Sequence, residues 1–270
     1  MAMRASLLLA LFAGAQGLRT PARVAARCRG QMSAPAEVTL EVTSDYETIA
    51  RASEFFAREF WAAELGDQQR AQLASKHKSD FEMRYGELTG KRRFPSALLL
   101  AHDGEEILGC AGVEMTIVDP VGGVFWDRAQ AETIFAERLG AMGGRERNLY
   151  RKALLPELAA IFMEPGQAVR PVLSNLAVRR ASRGTGLGER LVKGCEDVVR
   201  SKVGSWAGED LWLLVEEQNS PAVKLYSRLG FETVWDSAHM ATRLSSSGAG
   251  GLELVQEQTM LLAMAKKLDS

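Results

Sequence analysis

Residues 172–188, VLSNLAVRRASRGTGLG, decide how the rest of this chain is read. Val172–Val178 reads as a strand. Gly184, Gly186 and Gly188 follow within a short turn. Leu187, Leu191, Val192, Cys195, Val198 and Val199 then repeat at helical spacing. Glycines let a chain turn tightly with successive N–H groups facing one concavity, and the helix behind adds the positive end of its dipole. Such a strand–turn–helix suits a pyrophosphate. Arg179, Arg180 and Arg183 place positive charge at its rim.

Two well-known phosphate loops do not fit. A P-loop requires Lys and then Ser or Thr after its second glycine, whereas Glu189-Arg190 follow Gly188. A dinucleotide fingerprint requires Gly or Ala where Glu189 stands. The spacing that fits is R-x-x-G-x-G at Arg183, Gly186 and Gly188.

Outward from this segment the chain alternates between the two periods. Val38–Val42 reads as a strand. Ser44 and Glu47 form a capping box for a helix carrying Ile49, Phe55, Phe56 and Phe60. A weaker helix spans Gly66–Leu88. Ser96–His102 and Ile107–Val118 pair across an Asp103-Gly104 hairpin turn. Residues 119–170 are an insertion of helical patterns. Leu211–Val215 is a strand, and Pro221–Leu229 a helix capped by Asn219 or Ser220 and stopped by Gly230. Phe231–Trp235 is a strand, Asp236–Gly251 a polar loop, and Thr259–Lys266 the last strand. The expected fold is one mixed α/β domain over residues 37–270.

Here the sequence resembles the GNAT superfamily of acetyl-CoA-dependent N-acetyltransferases. Asn175-Leu176-Ala177-Val178 matches that family's fourth strand. VEEQNSPAVKLYSRLGF, residues 215–231, is similar to its second motif, with Asn219, Ala222, Leu225-Tyr226 and Gly230-Phe231 in register. The resemblance implies a central mixed sheet of about seven strands flanked by helices, with the insertion 119–170 between the third and fourth. It implies acetyl-CoA as co-substrate, lying where the fourth and fifth strands splay. Leu176, Ala177 and Val178 would face its pantetheine arm, with backbone N–H near Val178 at the oxyanion. Arg183, Gly184, Thr185, Gly186, Leu187 and Gly188 would cradle its pyrophosphate, and Asn219 would touch the arm. Tyr226 matches the usual general acid, for which a phenol of pKa near 10 is suited.

The general base stays open. Ribosomal-protein N-terminal acetyltransferases often carry Glu one residue before the position of Val215, and here that residue is Leu214. Glu114, Glu216, His239 or a water are the candidates, while His77 and His102 read as ordinary surface or strand histidines. Plastid relatives with a similar fourth strand acetylate protein N-termini and lysines, so a protein or peptide amine is the expected acceptor. A small-molecule amine is the alternative, and a non-catalytic acyl-CoA-binding module a further one. The insertion and the 236–251 loop would wall the acceptor site, unless the insertion decorates the far side.

Composition bounds these readings. The 270 residues carry a net charge of −1. Residues 1–36 hold five arginines and no acid, so the other 28 basic and 34 acidic residues leave the body at −6. An acidic body argues against nucleic-acid binding. No apolar run reaches membrane-spanning length. Cys28, Cys110 and Cys195 form no C-x-x-C pair, so neither a disulfide framework nor a zinc site is expected.

The leader itself has two parts. Ala5–Ala15 is apolar and ends Ala13-Gly14-Ala15, the form of a signal-peptidase site. Leu18–Gly30 is Arg-rich and acid-free, as transit peptides are. In series they resemble bipartite presequences of algal plastids. A single mitochondrial or chloroplast transit peptide and plain secretion are the alternatives, and secretion would separate the enzyme from acetyl-CoA. A fluorescent protein fused behind residues 1–36 is expected to enter plastids; fluorescence confined to medium or cytosol contradicts this.

Overall fold

The computed structural model describes residues 38–61, 67–86, 94–104, 106–126, 128–201, 210–246 and 252–268. The leader expected at 1–36 lies outside them. The elements run β1 (Thr39–Thr43), α1 (Tyr46–Trp61), α2 (Asp67–Tyr85), β2 (Ser96–Asp103), β3 (Glu106–Asp119), β4 (Val124–Trp126), α3 (Arg128–Ala141), α4 (Gly144–Tyr150) and α5 (Leu155–Phe162). After these come β5 (Ala168–Val178), α6 (Leu187–Ser201), β6 (Asp210–Glu216), α7 (Ser220–Arg228), β7 (Glu232–Ser246) and β8 (Leu252–Lys267).

The strands form one sheet in the order β1-β2-β3-β5-β6-β8-β7, with β4 paired to β3. Every neighbouring pair is antiparallel except β5 and β6, which α6 connects as a parallel crossover. The described sheet has eight strands, one more than expected, because the insertion contributes β4.

The apolar run Ala97-Leu-Leu-Leu-Ala101 of β2 is continuous because both of its faces are covered. Ala97, Leu99 and Ala101 join the cluster that contains the α6 stripe of Leu187, Leu191, Val192, Cys195, Val198 and Val199. Leu98 and Leu100 join Ile49, Phe55, Phe56, Phe81 and Tyr85 of α1 and α2 on the other face. Helix α6 lies close to β2 because residue 194 is glycine: a Cβ there would stand 2.7 Å from Leu99 Cδ2.

Three expectations are corrected. Helix α1 is capped by Asp45, whose Oδ2 accepts the Thr48 N–H at 2.8 Å, and not by the Ser44–Glu47 box. A carboxylate one residue nearer the first turn is the stronger acceptor there. His77 is no surface histidine: it is buried on α2 against the Phe56 ring, 5.2 Å between centroids, and burial lowers its pKa. Residues 236–246 are strand β7 and not a loop, and β8 begins at Leu252 and not at Thr259. As an edge strand β7 pairs on one side only, so it needs few apolar residues and its small polar composition imitates a loop.

The insertion is part of the core. Phe135, Leu139, Leu155, Leu158 and Phe162 of α3 and α5 sit in the same buried cluster as the α6 stripe. The Phe135 and Phe162 rings lie 5.7 Å apart. Strand β4 ties the segment to Ile117–Asp119, the end of β3 farthest from Val178. A core role has a measurable consequence. Phe135→Ala is expected to lower unfolding free energy by about 3–5 kcal/mol in urea titration, whereas an appendage would lose little.

Candidate functional site: a parted strand pair and its glycine loop

Strands β5 and β6 are paired only at Val172↔Trp212 and Leu173↔Leu213. Beyond Leu173 the β5 backbone changes course. Asn175 has φ +53°, alone among the described non-glycine residues in having a positive φ. The β3–β5 register shifts at the same place, between Cys110 and Gly112. This is a bulge, which bends a strand and ends pairing on its far side. The β5 edge that carries Leu176, Ala177 and Val178 therefore faces β6 without a β6 partner. Ala177 is buried, while Leu176 and Val178 are half-buried.

The glycine loop closes the end of that edge. Arg180–Ser182 make one 3-10 turn; Gly184 and Gly186 follow with φ of +80° and +86°, and α6 begins at Leu187. Both torsions lie where a side chain is strained. No acceptor among the described residues takes the backbone N–H groups of Gly184 through Glu189. Six donors thus converge at a helix N-terminus, the arrangement that binds phosphate. Gly188 serves packing: a Cβ there would lie 3.4 Å from Leu225 Cδ2 and 3.7 Å from Val178 Cγ2. It brings α7 against the loop.

The arginines are arranged otherwise than expected. Arg183 Nε donates to the Val178 carbonyl at 3.0 Å, and Nη2 donates to the Glu59 carbonyl at 3.2 Å, with the Glu59 carboxylate 4.0 Å away. Arg179 donates to the Ile107 carbonyl at 3.0 Å and pairs with Glu106. Both guanidiniums fasten the loop to its surroundings, while the Arg180 side chain is exposed. Glu59, which also accepts the Arg180 N–H at 2.9 Å, carried no signal in the sequence, because it is distant in the chain and sits in a plain helical pattern.

Tyr226 of α7 is buried, with its ring edge-on to Phe231 at 5.8 Å between centroids. Burial raises its pKa, so the phenol stays protonated through the neutral range. Asn219 Oδ1 accepts the Ala222 N–H at 3.4 Å and caps α7, so that oxygen holds the helix that carries Tyr226.

The carboxylate candidates differ in setting. Glu114 on β3 is ion-paired to Arg84, which also bonds Asp80 at 3.1 Å. Glu216 is buried at the end of β6. Counting four rows on from the paired Val172 and Trp212, and allowing for the extra residue of the bulge, puts it level with Ala177, across the gap. His239 is half-buried on β7, and burial lowers its pKa. His102 lies 3.3 Å from Glu41, away from these groups on the β1–β2 edge. No cluster of metal-ligating side chains exists among the described residues. None of their helices is long and apolar enough to cross a membrane.

Residues 149–240 match the model of a family described as FR47-like protein. That stretch contains the whole of β5, the loop, α6, β6 and α7. Among similar solved structures is yncA of Salmonella typhimurium with its cofactor acetyl-CoA, 14% identical over 87% of this chain and 95% of its own, at a TM-score of 0.43. A second is Arabidopsis thaliana NAA60 with a bisubstrate analogue, 13% identical over 86% and 100%, at 0.43. A third is an acetyltransferase of the GNAT family from Streptococcus pneumoniae, 13% identical over 86% and 100%, at 0.42. Comparison with the curated proteins finds no match.

Both described thiols are closed off. Cys110 is buried beside the bulge, its Sγ 3.5 Å from the Asn175 carbonyl, and burial pushes its pKa up to about 12. Cys195 is buried in the α6 stripe and shifted in the same direction. At pH 8 a disulfide reagent is expected to label neither until denaturant is added, as peptide mass spectrometry can show.

Proposed function

We propose that this protein transfers the acetyl group of acetyl-CoA to a primary amine, with a protein N-terminus or lysine as the favoured acceptor. The observation that carries the reading is the unpaired β5 edge running into a loop with six unclaimed N–H groups. An edge accepts the amide-bearing pantetheine arm as an added strand. The loop and the α6 dipole offset the pyrophosphate charge.

The two ends of that arm set the chemistry. The thioester lies in the gap near the bulge, and the amine attacks its carbonyl carbon. The C–N bond forms, the C–S bond breaks, and the leaving sulfur takes a proton from Tyr226 Oη. A phenol held neutral by burial is an effective donor to a thiolate. The amine gives up its proton to a base or to water. Glu216 ends the strand across the gap from Ala177, and Glu114 is ion-paired to Arg84. Placing both reactants in one cleft supplies much of the rate.

The test is acetyl-CoA consumption by the purified protein, with panels of peptides and small amines. Acetylated peptides support the reading; turnover with small amines alone replaces the acceptor class. Binding without turnover on either panel reduces the protein to an acyl-CoA-binding module. Tyr226→Phe is expected to lower kcat by about 10²-fold with the Kd for acetyl-CoA unchanged. Gly186→Val has the opposite signature: a weakened Kd measured by calorimetry, because φ +86° excludes a β-branched residue.

A further inference from the structure

The last turn of α2 reaches across the sheet to the bulge. Tyr85, the final residue of α2, is buried, and its ring lies edge-on to Phe81 at 5.5 Å. Asn175 Nδ2 donates to Tyr85 Oη at 2.8 Å. The same Oη shares a hydrogen bond of 2.9 Å with Ser174 Oγ. Both partners belong to the bulge, about 90 residues further along the chain. Space for the phenol is kept by Gly112 of β3, where a Cβ would stand 1.9 Å from Tyr85 Oη. The neighbouring Arg84 fastens the same turn to β3 through Glu114.

A left-handed asparagine needs a reason to stay left-handed. The amide usually finds a local backbone partner; here it is held by a side chain from another element. If Asn175 relaxed to an extended torsion, the bulge would lose its extra residue. Beyond it, every β5 side chain would change face, because strand periodicity is two. Leu176 and Val178 would turn over, and the β5 backbone would be free to continue pairing with β6.

We infer that Tyr85 is a positioning residue for the acetyl-CoA edge: its hydroxyl holds Asn175 and Ser174 in the bulge that parts β5 from β6. It touches no reacting atom and acts through Asn175. The inference rests on the acetyl-CoA reading above and adds to it a residue that no family motif supplied.

The experiment is a binding and kinetic comparison of the wild type, Tyr85→Phe, and Tyr85→Phe combined with Asn175→Gly. Phenylalanine keeps the ring over Gly112 and deletes only the hydroxyl. Glycine adopts φ +53° without a tether. In Tyr85→Phe the Kd for acetyl-CoA should rise about tenfold, the size of the lost hydrogen bonds, with thermal melting lowered by only a few degrees. Adding Asn175→Gly should restore the Kd, which a general loss of packing would not allow. Equal affinity of wild type and Tyr85→Phe overturns the inference, as does a double variant that remains weak. A wild type that fails to bind acetyl-CoA overturns the reading of the site itself, and this inference with it.

Discussion

Two parallel strands that share only two register pairs are the constraint on which the rest of this molecule turns. Parallel neighbours joined through a crossover helix ordinarily pair along their whole overlap, because an unpaired buried backbone is costly. Here β5 and β6 meet at residues 172–173 and 212–213 and then separate. The separation is maintained from outside the pair. On one side α6 and α7 pack into a shared core through Leu191, Val215 and Tyr226. On the other, α1 and α2 cover Ala177 and Cys110. The gap between the strands is thus bounded by core on both faces, and its unpaired backbone is available to an extended amide-containing ligand.

Charge is distributed in keeping with that geometry. The body is acidic, and Arg179 and Arg183 beside the loop are engaged with carbonyl and carboxylate partners. Much of what the loop offers an anion is therefore a set of backbone dipoles. These cannot be neutralised by a rise in pH and carry no side-chain entropy into binding. On the proposed reading, such a site suits a compact phosphate group at a helix end better than the long regular charge array of a nucleic acid.

Much of this was legible in residues 172–231. Strand, glycine turn and amphipathic helix each have a distinct period, and Asn219, Pro221 and Gly230 punctuate α7 as local capping chemistry requires. Long-range side-chain partnerships were not legible. No spacing rule links Glu59 to Arg180, or Tyr85 to Asn175, because tertiary folding alone brings them together. The arginines illustrate the same limit: their positions beside the loop were readable, but their partners were not. Strand β7 was missed for a compositional reason, since a sheet edge tolerates serine, alanine and threonine that elsewhere mark a loop.

The hairpin of β7 and β8 gives the sheet an uneven margin. Ala265 to Leu261 of β8 lie between β6 and β7, whereas Thr259 to Leu252 are paired with β7 alone. One strand therefore passes from the interior of a sheet to a two-stranded ribbon without a break in its own conformation. Ribbons of two strands are marginal by themselves and twist more strongly than wide sheets. The inner half of β8 is bonded on both edges and the outer half on one, so the two halves of a single strand are expected to open with different lifetimes, the inner amides exchanging more slowly than the outer ones.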